Sequence, residues 1–198
     1  MRFLIGIDEA GRGPLAGPVA VGAVLVPEGF DVSQEFPGVR DSKKLSAEKR
    51  EEIYAALRHR AEAVGDVRFC VRFASHHCID RLGITRAVRL ALFACAQHLA
   101  PDPGGVHVLL DGLLEAPPRF SQETIIRGDE SVPLISLASI SAKVERDQLM
   151  QRMAKKFPDY GFDIHKGYAT AAHREAIAER GLCAIHRVTF CKKIMAVQ

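Results

Sequence analysis

Two adjacent carboxylates and a glycine-rich turn lie near the start of the chain, in the stretch IGIDEAGRGPLAG. Asp8 and Glu9 end a short apolar run, and a buried strand that finishes on two acids needs a partner for their charge. A metal ion is the simplest partner. The glycines that follow let main-chain N–H groups approach a ligand, and Arg12 offers a planar donor fork that suits phosphate. The stretch is therefore predicted to combine a cation site with an anion site.

Two further carboxylates occupy comparable positions. Asp111 follows the apolar run VHVLL, and Asp129 follows the short apolar segment TII. Ligands of open α/β sheets bind at the carboxyl ends of strands, and sets of oxygen ligands favour hard cations such as Mg²⁺ or Mn²⁺. Two such ions, roughly 3.5–4 Å apart, can activate water and stabilise the leaving oxygen of a phosphodiester. Each acid alone would be an ordinary solvated turn residue, but the set predicts metal-dependent phosphodiester hydrolysis.

Basic and aromatic residues suited to a polyanion recur along the chain. Lys43 and Lys143 are candidates for neutralising phosphates, although a solvated surface charge is the simpler interpretation of any single lysine. Tyr168, in the loop HKGY, is a candidate for stacking on a sugar or base. Residues 143–198 carry 11 Lys and Arg against 6 Asp and Glu, whereas residues 1–142 carry 16 against 18. This asymmetry favours a polyanion held by the C-terminal part and cut by the N-terminal part.

Length and composition limit the class of protein. With 198 residues, 47% of them hydrophobic, the chain can bury the core of one domain. No apolar run approaches about 20 residues, and the N-terminus lacks a signal-peptide pattern, so we expect a cytoplasmic protein without a membrane span. The five cysteines are scattered and form no CxxC pair, which argues against a disulfide framework and a zinc site. We expect a monomer.

The hydrophobic pattern predicts alternating strands and helices. Besides the first apolar run, strands are expected at Val19–Val26, Val67–Phe73 and Val106–Leu110. The first run and the second strand are joined by a short turn and should form an antiparallel hairpin. Helices are expected at Ala47–Ala63 with Ser46 as its cap, Ile84–Ala100, Leu134–Phe157 and Thr170–Arg180. Pro27–Arg40 and Tyr160–Tyr168 are predicted to be loops, and the residues from Cys183 onward are left unassigned.

Seven segments, in their order and spacing, resemble bacterial ribonuclease HII over nearly the whole chain: IGIDEAGRGPLAGPV, DSKKLS, LLDG, IIRGDE, ASISAKVERDQLM, YGFDIHKGYAT and IHRVTF. The resemblance implies an α/β fold, namely a ribonuclease-H-like mixed β-sheet flanked by helices with a small C-terminal helical extension. It implies one domain over residues 1–198. The catalytic sheet and helices would occupy roughly residues 1–157, and a substrate-binding loop and helical part roughly 158–198.

The same resemblance implies an activity. Such an enzyme is a metal-dependent endonuclease that hydrolyses the RNA strand of RNA–DNA hybrids. It also nicks ribonucleotide-containing duplex DNA on the 5′ side of a single embedded ribonucleotide, leaving a 3′-hydroxyl and a 5′-phosphate. The cofactor would be Mn²⁺ or Mg²⁺, with two ions in the active complex, and the biological setting would be ribonucleotide removal in DNA replication and repair.

Site residues follow from the resemblance position by position. The family's catalytic, metal-binding acids match Asp8, Glu9, Asp111 and Asp129. The turn that senses the ribose 2′-hydroxyl matches Gly11, Arg12 and Gly13, and the tyrosine that stacks at the RNA-to-DNA junction matches Tyr168. By the same argument Lys43 and Lys143 are expected to contact phosphates.

Two other functions fit part of the pattern. A nuclease that resolves DNA junctions or processes RNA would share the acid cluster, but it would give the GRG turn and Tyr168 no reason to occur together. A non-catalytic module for binding hybrids would keep the acids for folding only, and a carboxylate cluster would hinder it in binding a polyanion. The sequence leaves open which metal is preferred, whether a sliding clamp binds, and what the individual histidines do.

Overall fold

A single mixed sheet forms the centre of the protein, whose computed structural model describes residues 2–39 and 45–195. Its five strands are β1 (Phe3–Ala10), β2 (Val19–Pro27), β3 (Arg68–Ala74), β4 (Val106–Asp111) and β5 (Ser121–Ile125). They lie in the order β3-β2-β1-β4-β5. β2 is antiparallel to β1 and β3, whereas β4 is parallel to β1 and β5. The predicted hairpin and the mixed α/β sheet are confirmed.

Helices account for most of the remaining chain. They are α1 (Val32–Glu35), α2 (Ala47–Ala63), α3 (His76–Leu82), α4 (Ile84–Leu99), α5 (Gly128–Ser131), α6 (Pro133–Lys156), α7 (Phe162–His165), α8 (Ala171–Arg180) and α9 (Val188–Met195). A 3₁₀ turn spans Pro158–Tyr160. The predicted bounds of α2, α4, α6 and α8 agree with these to within one residue. No helix in the described part of the chain is long and apolar enough to cross a membrane.

Two predicted loops were wrong in detail, and one segment that was left unassigned forms a helix. The predicted loop Pro27–Arg40 contains α1, because the Asp31 carboxylate accepts hydrogen bonds from the N–H groups of Ser33 and Gln34 and so caps a helical turn. The predicted loop Tyr160–Tyr168 contains α7. The unassigned C-terminal segment forms α9, whose first N–H groups donate to the carboxylate of Asp80.

Both faces of the sheet are covered, which explains why β2 is apolar throughout. Val21 and Leu25 point into a cluster formed with α4, while Val24 and Val26 point into a second cluster formed with α2 and α6. A strand buried on both sides needs apolar residues at every position rather than at alternate ones. β1 lies next to β2 and is the central strand of the sheet, so the acids near its carboxyl end are carried by a strand that is paired on both sides.

α6 packs directly on the backbone of β1 and β2 through two glycines. A Cβ atom at Gly22 would lie 2.3 Å from the carbonyl oxygen of Ala138, and one at Gly6 would lie 2.6 Å from that of Leu134. Only glycine permits this approach. The contact fixes α6, and therefore Ser139 and the residues that follow it, against the end of β1.

Main-chain hydrogen bonds tie the turn after β1 to two C-terminal segments. The N–H of Leu15 donates to Gly167 at 2.8 Å, and the N–H of Gly17 donates to Ile185 at 2.9 Å. The N–H of Arg187 donates back to Leu15 at 2.7 Å. The turn thus lies between the loop before α8 and the segment before α9. The expected division of the chain near residue 157 stays a prediction.

A chain of histidines holds the loop before α8. Nδ1 of His186 accepts the N–H of Cys183 at 2.9 Å, so the proton of the neutral ring lies on Nε2. Nε2 of His186 then donates to Nε2 of His173 at 3.0 Å, and Nδ1 of His173 donates to the carbonyl of Tyr168 at 2.9 Å. His165 stacks on His173 with ring centroids 4.4 Å apart. Because His173 and His186 each accept a hydrogen bond through one ring nitrogen, protonation of either ring would break this arrangement.

We expect the substitution Gly22→Ala to destabilise the fold, because its Cβ would be driven into the backbone of α6. The free energy of unfolding should fall by about 3 kcal/mol, as measured by urea denaturation. Gly104→Ala is the matched control, since its nearest contact is the Asp102 side chain at 3.3 Å. Equal stability of the two variants would show that α6 does not pack on β2 in this way.

The histidine chain should make stability depend on pH. Burial, and then His173, lower the pKa of His186 to about 4, whereas an unfolded histidine titrates near 6.5. Between these values the unfolded chain binds more protons. The contribution of His186 is therefore complete above pH 6.5 and decreases as the pH falls to about 4, by about 3 kcal/mol in total.

The measurement is the free energy of unfolding of wild type and His186→Gln between pH 8 and pH 4. We expect the wild-type curve to fall more steeply than that of the variant over the acid half of the range. His59→Gln, at an exposed position of α2, should keep the wild-type slope. Parallel curves for wild type and His186→Gln would contradict the assignment.

Candidate active site

The four predicted acids gather at one edge of the sheet. β1 and β4 are parallel neighbours with Ile7 opposite Leu110, so Asp8 and Asp111 occupy adjacent positions at the carboxyl ends of their strands. Glu9 follows Asp8 within β1. Asp129 lies in the first turn of α5, and its main-chain N–H donates to Oδ1 of Asp111 at 3.2 Å.

Burial makes the negative charge at this edge costly. Asp8 is only 5% exposed, and burial, followed by the charges of Glu9 and Asp111, raises its pKa well above the usual range. A hydrogen bond with Ser139 of α6 opposes this rise. Burial also raises the pKa of Glu9, against the lowering effect of Arg12.

The donor set fits a divalent cation. Oε2 of Glu9 is buried and makes no hydrogen bond within the described residues, and the ligands on offer are all carboxylate oxygens, which hard cations prefer. Across residues 2–39 and 45–195, no group of three or more His, Cys, Asp and Glu side chains has the arrangement of a preformed metal site. Asp8, Glu9 and Asp111 thus interact electrostatically, but their side chains do not converge on one point.

The glycine turn lies directly beside these acids. Gly11 has φ of +91°, and a Cβ there would lie 2.0 Å from Nε of Arg146, so the position admits only glycine. Arg12 is 46% exposed and its Nη1 lies 3.1 Å from Oε1 of Glu9. A Cβ at Gly13 would meet nothing within 4 Å. The turn therefore presents an open face next to the carboxylates.

Two arginines lie wholly buried beneath the turn, and sequence reasoning assigned no role to Arg187. Arg146 donates from Nε to the carbonyl of Pro18 at 2.9 Å and from Nη2 to that of Lys166 at 3.1 Å. It thereby joins the turn to the HKGY loop. Arg187 donates to three carbonyls of the turn. The sequence carries no local signal for these contacts, because the partners lie up to 176 residues apart.

A cleft of about 280 Å³ brings together three of the six predicted binding residues, Gly11, Lys143 and Tyr168. Its lining includes Glu9, Gly11, Arg50, Ser139, Lys143 and Tyr168. The Tyr168 ring is 42% exposed and lies over the guanidinium of Arg146, with 5.7 Å from the guanidinium carbon to the ring centroid. A ring supported on one side and open on the other suits stacking.

Lys143, one of the two lysines predicted to contact phosphates, lines this cleft. Lys143 pairs with Asp147 at 2.7 Å; burial lowers its pKa and the Asp147 carboxylate raises it. Lys43 lies outside the described residues. Arg50 was missed by the sequence analysis. It lines the same cleft and donates from Nη1 to the carbonyl of Leu45 at 2.6 Å.

Comparison with known proteins identifies the family. The sequence model described as Ribonuclease HII matches residues 5–193. A relative in Geobacter metallireducens named Ribonuclease HII is 49% identical over 185 residues, which are 93% of this chain and 82% of the relative. Another of the same name, in Chlorobaculum parvum, is 46% identical over 186 residues, covering 93% of this chain and 87% of the relative.

Solved structures agree on the fold. A chain in the PCNA:RNase HII complex from Archaeoglobus fulgidus superposes with a TM-score of 0.75 at 28% identity, over 96% of this chain and 94% of that one. Ribonuclease H2 from Pyrococcus horikoshii superposes with a TM-score of 0.76 at 22% identity, over 98% of both chains. This chain therefore belongs to the ribonuclease HII family and is an endonucleolytic hydrolase of the ribonuclease H type.

Proposed function

We propose that this enzyme uses divalent cations to hydrolyse the RNA strand of RNA–DNA hybrids and to nick duplex DNA on the 5′ side of a single embedded ribonucleotide. The observation that carries the proposal is the adjacency, in and beside one cleft, of three coupled carboxylates, the open face of the GRG turn and the exposed Tyr168 ring. The cytoplasmic location and the monomeric state stay predictions.

The residues proposed to hold the metal are Asp8, Glu9, Asp111 and Asp129. Mg²⁺ or Mn²⁺ would supply there an activated water and stabilisation of the leaving oxygen, with two ions in the active complex. The excess of buried negative charge supports this assignment, since it raises the pKa of both Asp8 and Glu9. Ser139 keeps Asp8 in place through a hydrogen bond to its carboxylate.

The position of the proposed cut assigns a role to the 2′-hydroxyl. Hydrolysis that leaves a 3′-hydroxyl and a 5′-phosphate breaks the bond between phosphorus and the O3′ of the preceding nucleotide. The 2′-hydroxyl of the embedded ribonucleotide lies on the 3′ side of that bond and cannot be the nucleophile that breaks it. In this proposal the enzyme therefore uses the hydroxyl to recognise the substrate. In our proposal the turn from Gly11 to Gly13 binds this hydroxyl, and Tyr168 stacks on the sugar or base at the junction.

The remaining contacts in this proposal are electrostatic. Arg12 is half exposed and paired with Glu9. A substrate phosphate would therefore compete with Glu9 for Arg12, and a bound cation would compete with Arg12 for Glu9. Lys143 lines the cleft and is proposed to contact a backbone phosphate. The same role for Lys43 rests on the sequence alone.

The experiment that tests the proposed function is a nicking assay on three labelled duplexes with Mg²⁺, Mn²⁺ or EDTA. The duplexes are all-DNA, DNA with one ribonucleotide, and a long RNA–DNA hybrid. We expect metal-dependent cutting of the last two, on the 5′ side of the single ribonucleotide, and none of the first. Cutting of all-DNA would favour a junction-resolving nuclease, and binding without cutting would favour a non-catalytic module.

Asp111→Asn should abolish cutting and spare binding. The amide keeps the size of the side chain and its hydrogen-bonding oxygen but removes a charge that the cation needs, so the cleavage rate should fall by about 100-fold or more. Duplex affinity, measured by fluorescence anisotropy, should not weaken. Glu62→Gln, on the exposed face of α2, is the control. Wild-type cutting by Asp111→Asn would exclude Asp111 from the catalytic set.

Tyr168→Ala and Tyr168→Phe separate stacking from hydrogen bonding. Loss of one base-stacking contact should raise KM for the single-ribonucleotide duplex by about tenfold or more, and the phenyl ring of the second variant should restore the wild-type value. The measurement is steady-state nicking at constant ionic strength. Unchanged KM in the alanine variant would remove Tyr168 from the interface.

A further inference from the structure

Arg187 is held inside the glycine turn by three main-chain carbonyls. Its Nη2 donates to Gly11 at 2.8 Å, its Nη1 to Arg12 at 2.8 Å and its Nε to Gly17 at 2.9 Å. The side chain is fully buried. The ring of Phe190 lies against it, with the guanidinium carbon 5.2 Å from the ring centroid.

This arrangement fixes the direction of two peptide planes. In a trans peptide the C=O and the N–H point in opposite directions, and the described residues contain no cis bond. When Arg187 draws the carbonyls of Gly11 and Arg12 inward, the N–H groups of Arg12 and Gly13 point away from it. Pairing of β1 with β2 ends at Ala10, so both N–H groups lie beyond the sheet ladder.

The outward direction leads to solvent beside the carboxylates. Arg12 and Gly13 are exposed, and a Cβ at Gly13 would meet no atom within 4 Å. Two successive N–H groups aimed at the same open space form a concave site for an oxygen atom. The preceding residue, Gly11, lines the cleft that also contains Tyr168.

We infer that Arg187 is a positioning residue for ribonucleotide recognition, which holds the turn from within so that the N–H groups of Arg12 and Gly13 face the substrate sugar. The inference rests on the proposed function, because it needs the turn to read the 2′-hydroxyl. Arg187 comes from the opposite end of the chain, touches no substrate and acts only through the backbone that it orients.

Arginine suits this role and lysine does not. The planar fork reaches three carbonyls at once, whereas a single ammonium group has no such spread and would leave buried carbonyls without a donor. Burial, and then the charge of Arg146, oppose the charged form and lower the pKa of Arg187. The three carbonyl contacts therefore compensate for a costly burial.

The test compares Arg187→Lys with wild type, both carrying Asp111→Asn to prevent cutting. The measurement is the ratio of affinities for a duplex with one ribonucleotide and for the matched all-DNA duplex, at one salt concentration. In Arg187→Lys we expect this ratio to fall by about tenfold, as one well-made hydrogen bond to the hydroxyl is lost. Affinity for all-DNA should change by less than about twofold, since phosphate contacts are kept.

Arg68→Lys is the matched control, because Arg68 also donates to a main-chain carbonyl, that of Leu99, but on β3. It should keep the wild-type ratio. A merely structural role of Arg187 would lower the melting temperature and leave the ratio intact, and that result would overturn the inference alone. A wild-type ratio near one would overturn the inference together with ribonucleotide recognition itself.

A second measurement needs no substitution at Arg187 and covers the case in which Arg187→Lys does not fold. The amide signals of Arg12 and Gly13 are followed by NMR in the Asp111→Asn protein during titration with each duplex. We expect both signals to shift more with the ribonucleotide duplex than with all-DNA. Equal shifts with the two duplexes would overturn the inference.

Discussion

The main constraint on the structure is that several carboxylates of like charge lie close together at one edge of the sheet, where burial excludes much of the water. Asp8 and Asp111 lie at neighbouring positions near the carboxyl ends of two parallel strands, and Glu9 follows Asp8, so three carboxylates share one edge of the sheet. Burial and mutual repulsion make this arrangement unfavourable without a cation. The rest of the fold supplies the rigidity that keeps them there. α6 packs on the strand backbones through Gly6 and Gly22, too closely for any side chain at those positions.

A second constraint is the set of hydrogen bonds that links residues of the C-terminal part to the turn after β1. Arg146 and Arg187 are both buried, and both use their guanidinium groups to hold main-chain carbonyls rather than acidic side chains. A buried cation bonded to carbonyls fixes peptide orientation, which a salt bridge between side chains would not do. The hydrogen-bonded histidines hold the main-chain carbonyl of Tyr168 in the same way, through a bond from His173, which is itself bonded to His186. The turn and the loop that are proposed to face the substrate are thus held by contacts on their inner side.

Local signals in the sequence predicted the four long helices and most of the strands, whereas they missed the short helices and could not show the long-range contacts. Ser46 caps α2 where the pattern placed it, and β2 was recognised as a fully buried strand from its unbroken apolar run. α1 was missed although Asp31 is a recognisable cap. The four acids were singled out because charges at strand ends are unusual. The parallel pairing of β1 and β4 brings Asp8 and Asp111 together, whereas Asp129 reaches them from α5. The contacts of Arg187 join residues 170 or more positions apart and leave no periodic or local trace.

Whether the acid edge is a cation site can be measured by calorimetric titration of the protein with Mn²⁺ in the absence of nucleic acid. We expect saturable binding to wild type, weakened at least about tenfold by Asp111→Asn, because one of the interacting charges is removed. Absence of binding, or equal affinity in the two proteins, would show that the edge is not a cation site. The carboxylates would then have to be stabilised by protons, as the raised pKa values of Asp8 and Glu9 permit.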